Sequence, residues 1–443
     1  MEKKTHIANT ETKLVLIAKR AKEEKQTKFI SLMHLLNREY LLQCYKLLKK
    51  KAAGIDGRTV ESYTQEEIER EIDALIVRLK AGTYNPQPVR RVQIAKDNGK
   101  MRALGIPTVM DKILQLGMTR ILTNIFDASF LPSSYGYRVA KDAHACLKEV
   151  NHMIMGQKVS HIIDADIQAF FDTINHSDMI RCISQRIGDT KFKRLIWKIL
   201  QSGVMGEHGY EPTTEGTPQG GIISPILANI YLHYVLDLWF ERKGKRHLRG
   251  YAKLIRYADD FIVGVQYRSD AERLLTGIAL RLKQFGLTLS SEKTRIVEFG
   301  RFARETRAKQ GKGKPETFAF LGFTHYCGKT RDGRFSAKVK TSKKKLNKAI
   351  IAMNSFLKTN RAQPLEELWE ILAVKLRGHY NYYGVSGNFE SMQRFYWKTF
   401  RLAFKWLNRR SQKKSFTQEE YARRCALNPL PRPKITYALY NTW

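Results

Sequence analysis

The sequence predicts an α+β protein: a long mixed part, then a helical and strongly cationic one. Three stretches predict it. KLIRYADDFIVGV (253–265) is two apolar, strand-forming runs around an aspartate pair, a β-hairpin with Asp259 and Asp260 at its tip. VRRVQIA, KDNGK and MRALGIP (89–107) form a second hairpin signal, with Asn98-Gly99 as the turn. From 341 to 426 the apolar spacing becomes helical and lysines and arginines crowd it.

The other elements follow in order. Residues 11–50 read as helical and basic, and KAAGIDG (51–57) as a glycine-punctuated loop. The stretch 64–81 is a helix with glutamates early and lysine late, as the helix dipole favours. Helices are expected at 108–127 and 141–155, then a buried strand at 159–167 that ends in acids. Two helices fill 176–202, and a Gly/Thr/Pro-rich loop covers 211–221. Ser224 and Pro225 suit the N-cap and first turn of an apolar helix. After the 253–265 hairpin come a helix near 269–285, a strand near 294–299, a basic linker at 301–316 and a strand at 318–326. The basic stretch 241–252 reads as a solvated loop.

Length and composition narrow the class. The 443 residues, 43% hydrophobic, are enough for two or three domains with a large core. No apolar run reaches membrane-spanning length, and MEKKTHIANTETK lacks the apolar core of a signal peptide. A cytoplasmic protein with no membrane partner is the expectation. The five cysteines are scattered with no CxxC pair, which argues against a disulfide framework and a cysteine-rich zinc site.

The formal charge is +36, and residues 301–443 carry 31 Lys+Arg against 9 Asp+Glu, so +22 lies there. Such a chain binds a polyanion. Nucleic acid is favoured over a membrane surface, because aromatics such as Tyr382, Tyr383, Trp397 and Phe400 interleave with the cations and could stack on bases. Packing inside a helical domain accounts equally well for many of them.

Chemistry gathers in two places. Asp259 and Asp260 repel unless protons or a cation lie between them, and hard oxygen ligands suit Mg²⁺. Alone, the dipeptide reads as a solvated turn. The second place is IIDADIQAFFDTINH (162–176), where an apolar run delivers Asp166 at a strand end. If Asp166 meets Asp259, two Mg²⁺ ions about 4 Å apart could clamp a transferring phosphoryl group. Asp172 suits a cap for the helix near His176, and Asp164 has no assigned role. In EGTPQGGIISPILANIYLHYVLD (215–237), Gly220 and Gly221 leave room for a nucleic-acid strand near the backbone, although PQGG alone is also an ordinary turn.

In that order, DADIQAFFD, TPQGGIISPILANIYLH and RYADDF resemble the palm motifs of reverse transcriptases, with wording nearest the group II intron reverse transcriptases, or maturases. AGIDG (53–57) resembles their N-terminal extension, and KMRALGIPTVMDKILQ (100–115) their fingers motif. FAFLGF (318–323), which contains Gly322, resembles the primer grip; RGHYNYYG (377–384) and NPLPRPKI (428–435) resemble the thumb or maturase segment. The resemblance implies a right-hand polymerase: an N-terminal extension and start of the fingers at 1–88, fingers and palm at 89–330 with an antiparallel sheet carrying the acids, and a basic helical thumb/maturase domain at 331–443. It also resembles the short members without an endonuclease domain, such as the class C proteins.

The resemblance further implies an RNA-directed DNA polymerase that takes dNTPs, an RNA template and a DNA primer, and that binds group II intron RNA to assist splicing and retrohoming. Asp166, Asp259, Asp260 and the Ile167 carbonyl would hold two Mg²⁺ ions, with Mn²⁺ as a substitute. Phe171 would be the sugar gate, unless it packs in the core. Gln219 would touch nucleotide or template, Lys100 and Arg102 the triphosphate, and Lys293 would protonate the leaving pyrophosphate. Tyr257 and Ala258 would shape the primer end. Gly220, Gly221, Gly322 and the run Lys343, Lys344, Lys345 would face nucleic acid. Two alternatives stay open: a domesticated enzyme of repair or phage defence, and a splicing cofactor with incidental polymerase activity. Oligomeric state is not legible.

Overall fold

The computed structural model describes residues 2–48, 52–95, 101–207, 209–218, 220–412 and 415–440, with side chains from Thr10 onward. Helices α1 (Glu2–Glu23) and α2 (Arg38–Leu47) enclose an irregular segment, so the helical expectation for 11–50 holds only at its ends. Helix α3 (Gln65–Ala81) starts in a capping box: the Thr64 hydroxyl accepts from the Glu67 amide, and the Glu67 carboxylate accepts from the Thr64 amide. Strands β1 (Val89–Ala95) and β2 (Met101–Ile106) pair antiparallel from Arg90↔Ile106 to Ala95↔Met101. The Asn98-Gly99 turn lies outside the described residues. Helix α4 (Val109–Phe126), β3 (Ser134–Tyr135), α5 (Ala143–Gly156), β4 (His161–Ala165), α6 (His176–Ile183) and α7 (Thr190–Leu200) follow. Asn175, not Asp172, caps α6, because its side chain is the one that reaches the Asp178 amide.

Strands β5 (Val204–Gly206) and β6 (Gly209–Glu211) complete a four-stranded sheet in the order β2-β1-β5-β6. Helix α8 (Ser224–Leu232) runs through a π turn (His233–Asp237) into α9 (Leu238–Arg242). Ser224 is already helical and donates to the Pro218 carbonyl instead of capping. The basic stretch 241–252 is pinned rather than loose, since the buried Asp270 carboxylate accepts from the Arg249 and Gly250 amides. Strands β7 (Ala252–Tyr257) and β8 (Asp260–Val265) form the expected hairpin. After them come α10 (Arg268–Lys283), β9 (Arg295–Glu298) and α11 (Ala303–Lys309). The expected linker at 301–316 thus holds a helical turn, anchored where Arg307 pairs with Glu298.

The expected single strand at 318–326 is two: β10 (Phe318–Phe320) and β11 (Phe323–Lys329). Leu321 and Gly322 have φ of 49° and 79°, as a two-residue type I′ loop requires. An uninterrupted apolar run hid this fold-back. Strand β12 (Phe335–Thr341) pairs with β11 across a turn containing residues 330 and 331. The rest is helical: α12 (Lys343–Thr359), α13 (Leu365–Tyr383), α14 (Phe389–Leu407) and α15 (Gln418–Leu427).

The sheet that matters for function runs β3-β7-β8-β4-β9. Successive side chains point to opposite faces, and both faces are buried. Ile163, Leu254 and Val263 join the core formed with α4, α8 and α10, whereas Ile162, Ile255 and Ile262 pack with Val150 and Met153 of α5 and with Phe318 and Phe320. Burial on two faces explains the unbroken apolar runs beside the aspartates. The helical end has its own core around Leu357, Leu372, Leu376 and Met392.

Candidate active site

Strand pairing brings the acids together. Strands β4 and β8 run antiparallel, with Asp164 opposite Ile262 and Ala165 opposite Phe261, so Asp166 emerges beside Asp260. Tyr257 pairs with Asp260. The tip is therefore Ala258-Asp259, one residue earlier than the sequence suggests. Ala258 has φ of 56° at the first loop position, where glycine is the usual occupant.

Burial, followed by the charges of Asp259, Asp166 and Asp164, pushes the Asp260 carboxyl up to about 6, although its side chain opens to solvent. Burial also raises Asp259; Asp166 adds to the rise, and Arg102 opposes it. Asp164 is pushed up to about 6 by burial, against the pull of Arg295, whose Nε lies 3.7 Å away. The site is thus an excess of negative charge at neighbouring strand ends. Besides Arg295 at Asp164, Lys293 answers it directly: its Nζ is 2.7 Å from Asp166 Oδ2. Among the described residues, no three or more His, Cys, Asp or Glu side chains close into a finished metal cage.

Ile167 forms a bridge with Leu289, but the bonds around it use the Asp166 carbonyl, which accepts from Ser290, and the Gln168 amide, which donates to Thr288. The Ile167 carbonyl stays out of that ladder. Phe170 and Phe171 divide the two roles the sequence left open. Phe170 is buried in the core, while Phe171 stands half-buried, edge-on to it, and lines a cleft of about 270 Å³ with Arg91, Ala103, Gly105 and Pro218. The Phe171 carbonyl accepts from the Thr217 amide at 2.6 Å, which stitches this turn to the TPQGG loop.

The glycines of that loop serve the protein itself. A Cβ on Gly220 would stand 2.7 Å from the Gly105 carbonyl, and one on Gly221 would stand 2.9 Å from the Ser224 hydroxyl. The space a Cβ would take at Gly220 is filled by β2, and at Gly221 by the start of α8. Arg102 is exposed on β2. Lys100 and Gln219 lie outside the described residues.

A third group meets at Gly322. The Ser342 amide donates to the Gly322 carbonyl, and a Cβ on Gly322 would lie 3.8 Å from Lys345. Lys343, Lys344 and Lys345 occupy the exposed first turn of α12, beside the Leu321-Gly322 turn. The Tyr382 hydroxyl donates to the Leu321 carbonyl at 3.0 Å. Burial, followed by the neighbouring Tyr383, raises the Tyr382 hydroxyl.

Sequence reading passed over Arg256 and Asp237. Arg256 is fully buried on β7 and forms a two-bond fork with Asp237 at the end of the π turn, at 2.6 and 2.9 Å. Breaking such a pair from one side costs about 3–5 kcal/mol. The signal was present: a lone cation inside the apolar run KLIRYADDF, and a lone acid ending the apolar helix 224–237.

The described helices include none long and apolar enough to cross a membrane. The family model for reverse transcriptase (RNA-dependent DNA polymerase) matches residues 94–325. The group II intron-encoded protein LtrA of Lactococcus lactis subsp. cremoris is 30% identical, over 86% of this chain and 74% of that protein. Protein YkfC of Escherichia coli K12 is 30% identical over 58% of this chain and 76% of its own length. A 91 kDa protein in the cob intron of Schizosaccharomyces pombe is 31% identical over 59% of this chain and 39% of its own. The matched span holds both acid-bearing strands and the TPQGG loop, and the chain belongs to the reverse transcriptases, among the group II intron-encoded proteins.

Proposed function

We propose that this chain is an RNA-directed DNA polymerase that extends a primer 3′-hydroxyl with dNTPs on an RNA template, and that its cationic helices also bind group II intron RNA to assist splicing. The observation that carries the reading is the meeting of Asp166, Asp259 and Asp260 at adjoining strand ends, where burial and the neighbouring carboxylates raise the proton affinities of Asp259 and Asp260. Hard oxygen donors in excess, with raised carboxyls, fit divalent magnesium, and Mn²⁺ fits the same donors. Asp166, Asp259, the Ile167 carbonyl and, less directly, Asp260 would hold two ions. When bound, these ions activate the attacking hydroxyl and neutralise the leaving pyrophosphate.

The remaining roles belong to the chain itself. Lys293, paired with Asp166, is placed to give a proton to the leaving group. Arg102 presents a planar fork to phosphate oxygens. Phe171, facing the cleft while Phe170 fills the core, excludes a ribose 2′-hydroxyl. Tyr257 and Ala258 shape the primer end, and Gly322 with Lys343, Lys344 and Lys345 borders the duplex. Lys100 and Gln219 are assigned to triphosphate and to template by resemblance alone. The basic part from 331 onward serves as thumb, after the extension (1–88) and the fingers and palm (89–330).

Primer extension on an RNA template with dNTPs and Mg²⁺ tests the reading. Wild type should extend, and Asp166→Ala should not, while RNA affinity stays equal and falls with salt on a log–log slope steeper than about −2. A wild type that binds RNA but never extends, at any salt, would leave a splicing cofactor as the better reading.

A further inference from the structure

We infer that Arg256 is a positioning residue that sets where the Asp259 and Asp260 carboxylates stand; the inference rests on the metal-dependent reading above. All five guanidinium N–H groups are used. Nε and Nη2 donate to Asp237, Nη1 to the Asn229 side-chain oxygen at 2.9 Å and to the Ala258 carbonyl at 2.7 Å, and Nη2 also to the Ser134 hydroxyl at 2.7 Å. The bond to Ala258 is the decisive one. It grips the backbone of the residue that bears the left-handed φ and immediately precedes the two acids.

The grip is two-sided. The Ala258 amide donates to the Tyr135 carbonyl at 3.1 Å, and the Asn229 side chain donates to the Gly136 carbonyl at 3.0 Å. A Cβ on Gly136 would lie 2.8 Å from the Ala258 nitrogen, so the residue that follows β3 presses directly on the turn. The turn is therefore held by its amide from one side and by its carbonyl from the other, and Arg256 is the only side chain among the described residues bonded to its carbonyl.

The π turn makes this possible. Eight residues of straight α-helix leave two side chains about 80° apart around the axis. The wider π turn between Asn229 and Asp237 takes up most of that offset, so both face Arg256. Such a turn is uncommon, and here its product is one arginine site under the acids. A lysine at 256 keeps the charge but offers three donors from one nitrogen, and it cannot serve both Asp237 and Ala258 in this geometry.

Hydrogen exchange and Mn²⁺ binding test the inference on the full chain. In Arg256→Lys, amides 257–261 should exchange at least tenfold faster, with α8 and β4 unchanged. The Mn²⁺ concentration for half-saturation, read by electron paramagnetic resonance, should rise about 10–100-fold, as for other groups that orient metal ligands. RNA affinity should not move. If Arg256→Lys lacks a cooperative melt, the charge-neutral pair Arg256→Met with Asp237→Leu carries the same test, because it removes both buried charges and the bond to Ala258 together. Wild-type exchange at 257–261 in whichever variant folds overturns the inference. Wild-type protein that binds Mn²⁺ no better than Asp259→Ala overturns the metal reading instead, and the exchange rates still decide the role of Arg256.

Discussion

At residues 256–260 the turn that bears the acids is wired into the fold through the buried Arg256, whereas Lys343 and Lys344 are exposed at a helix end that disfavours their charge. Helices α13, α14 and α15 each carry a glutamate in the first turn, as the dipole prefers; α12 carries three lysines and no acid there. Each misplaced cation costs about 0.3–1 kcal/mol. The acidic turn is therefore a site where one atom's position matters, and the lysine turn is one where summed charge matters. Changes at the first should be large and specific. Changes at the second should be small and additive.

The largest effect is expected at the acids. Asp259→Ala should lower the primer-extension rate by more than about 100-fold, beyond the usual loss when a group that merely supports a metal ligand is removed. Template affinity should stay within about twofold of wild type. Retention of rapid extension would erase the contrast between the two regions.

Proton linkage sharpens the same point. Asp164 and Asp260 titrate near 6 in the folded chain, above the ordinary value of about 3.9. The native state therefore holds more protons than the unfolded one between about pH 4 and 6, and stability falls as pH rises through that window. A divalent cation offsets the charge only once the carboxyls have ionised. The rise in melting temperature on adding Mg²⁺ should be clearly larger at pH 7.5 than at pH 5. An equal rise at both would show that the ion acts elsewhere.

Sugar selection should respond less. Phe171→Ala should raise the use of rNTPs relative to dNTPs by roughly 10-fold or more, since a lost steric contact in a pocket is worth about 1–3 kcal/mol. Phe170→Ala should instead lower stability by about 3–5 kcal/mol, because that ring is buried. Swapped outcomes would reverse the assignment of the two rings.

What the sequence made legible follows the same division. Local signals carried far: the apolar runs at 253–265 placed the β7–β8 hairpin, and the early glutamates and late lysine of 64–81 placed α3. Motif wording carried Asp166, Asp259 and Asp260. Three things stayed hidden, one for want of a local turn marker and two because they depend on partners distant in sequence. The left-handed Leu321-Gly322 turn hid inside an apolar run, since leucine is a poor turn marker. The tight fit at Gly220 depends on Gly105 of the β1–β2 hairpin, a contact that the PQGG wording does not announce. The Arg256–Asp237 pair spans two elements and a π turn that no periodicity of 3.6 reveals.

The smallest effects belong to α12. Lys343 and Lys344 are exposed on the first turn, next to the Gly322 turn whose carbonyl accepts from Ser342. If each neutralises one phosphate, replacing either by alanine should make the salt slope shallower by about 0.9 and weaken RNA binding by a factor that shrinks as salt rises. Relief of the helix end should at the same time raise stability by about 0.3–1 kcal/mol. The two signs oppose each other, and that opposition separates a binding surface from an idle one. Lysines that merely face solvent would give the gain in stability with no change in slope. Substituting both should roughly double both effects, because exposed charges with no shared partner add. At Arg256 no such additivity is expected, since five bonds to four residues stand or fall together.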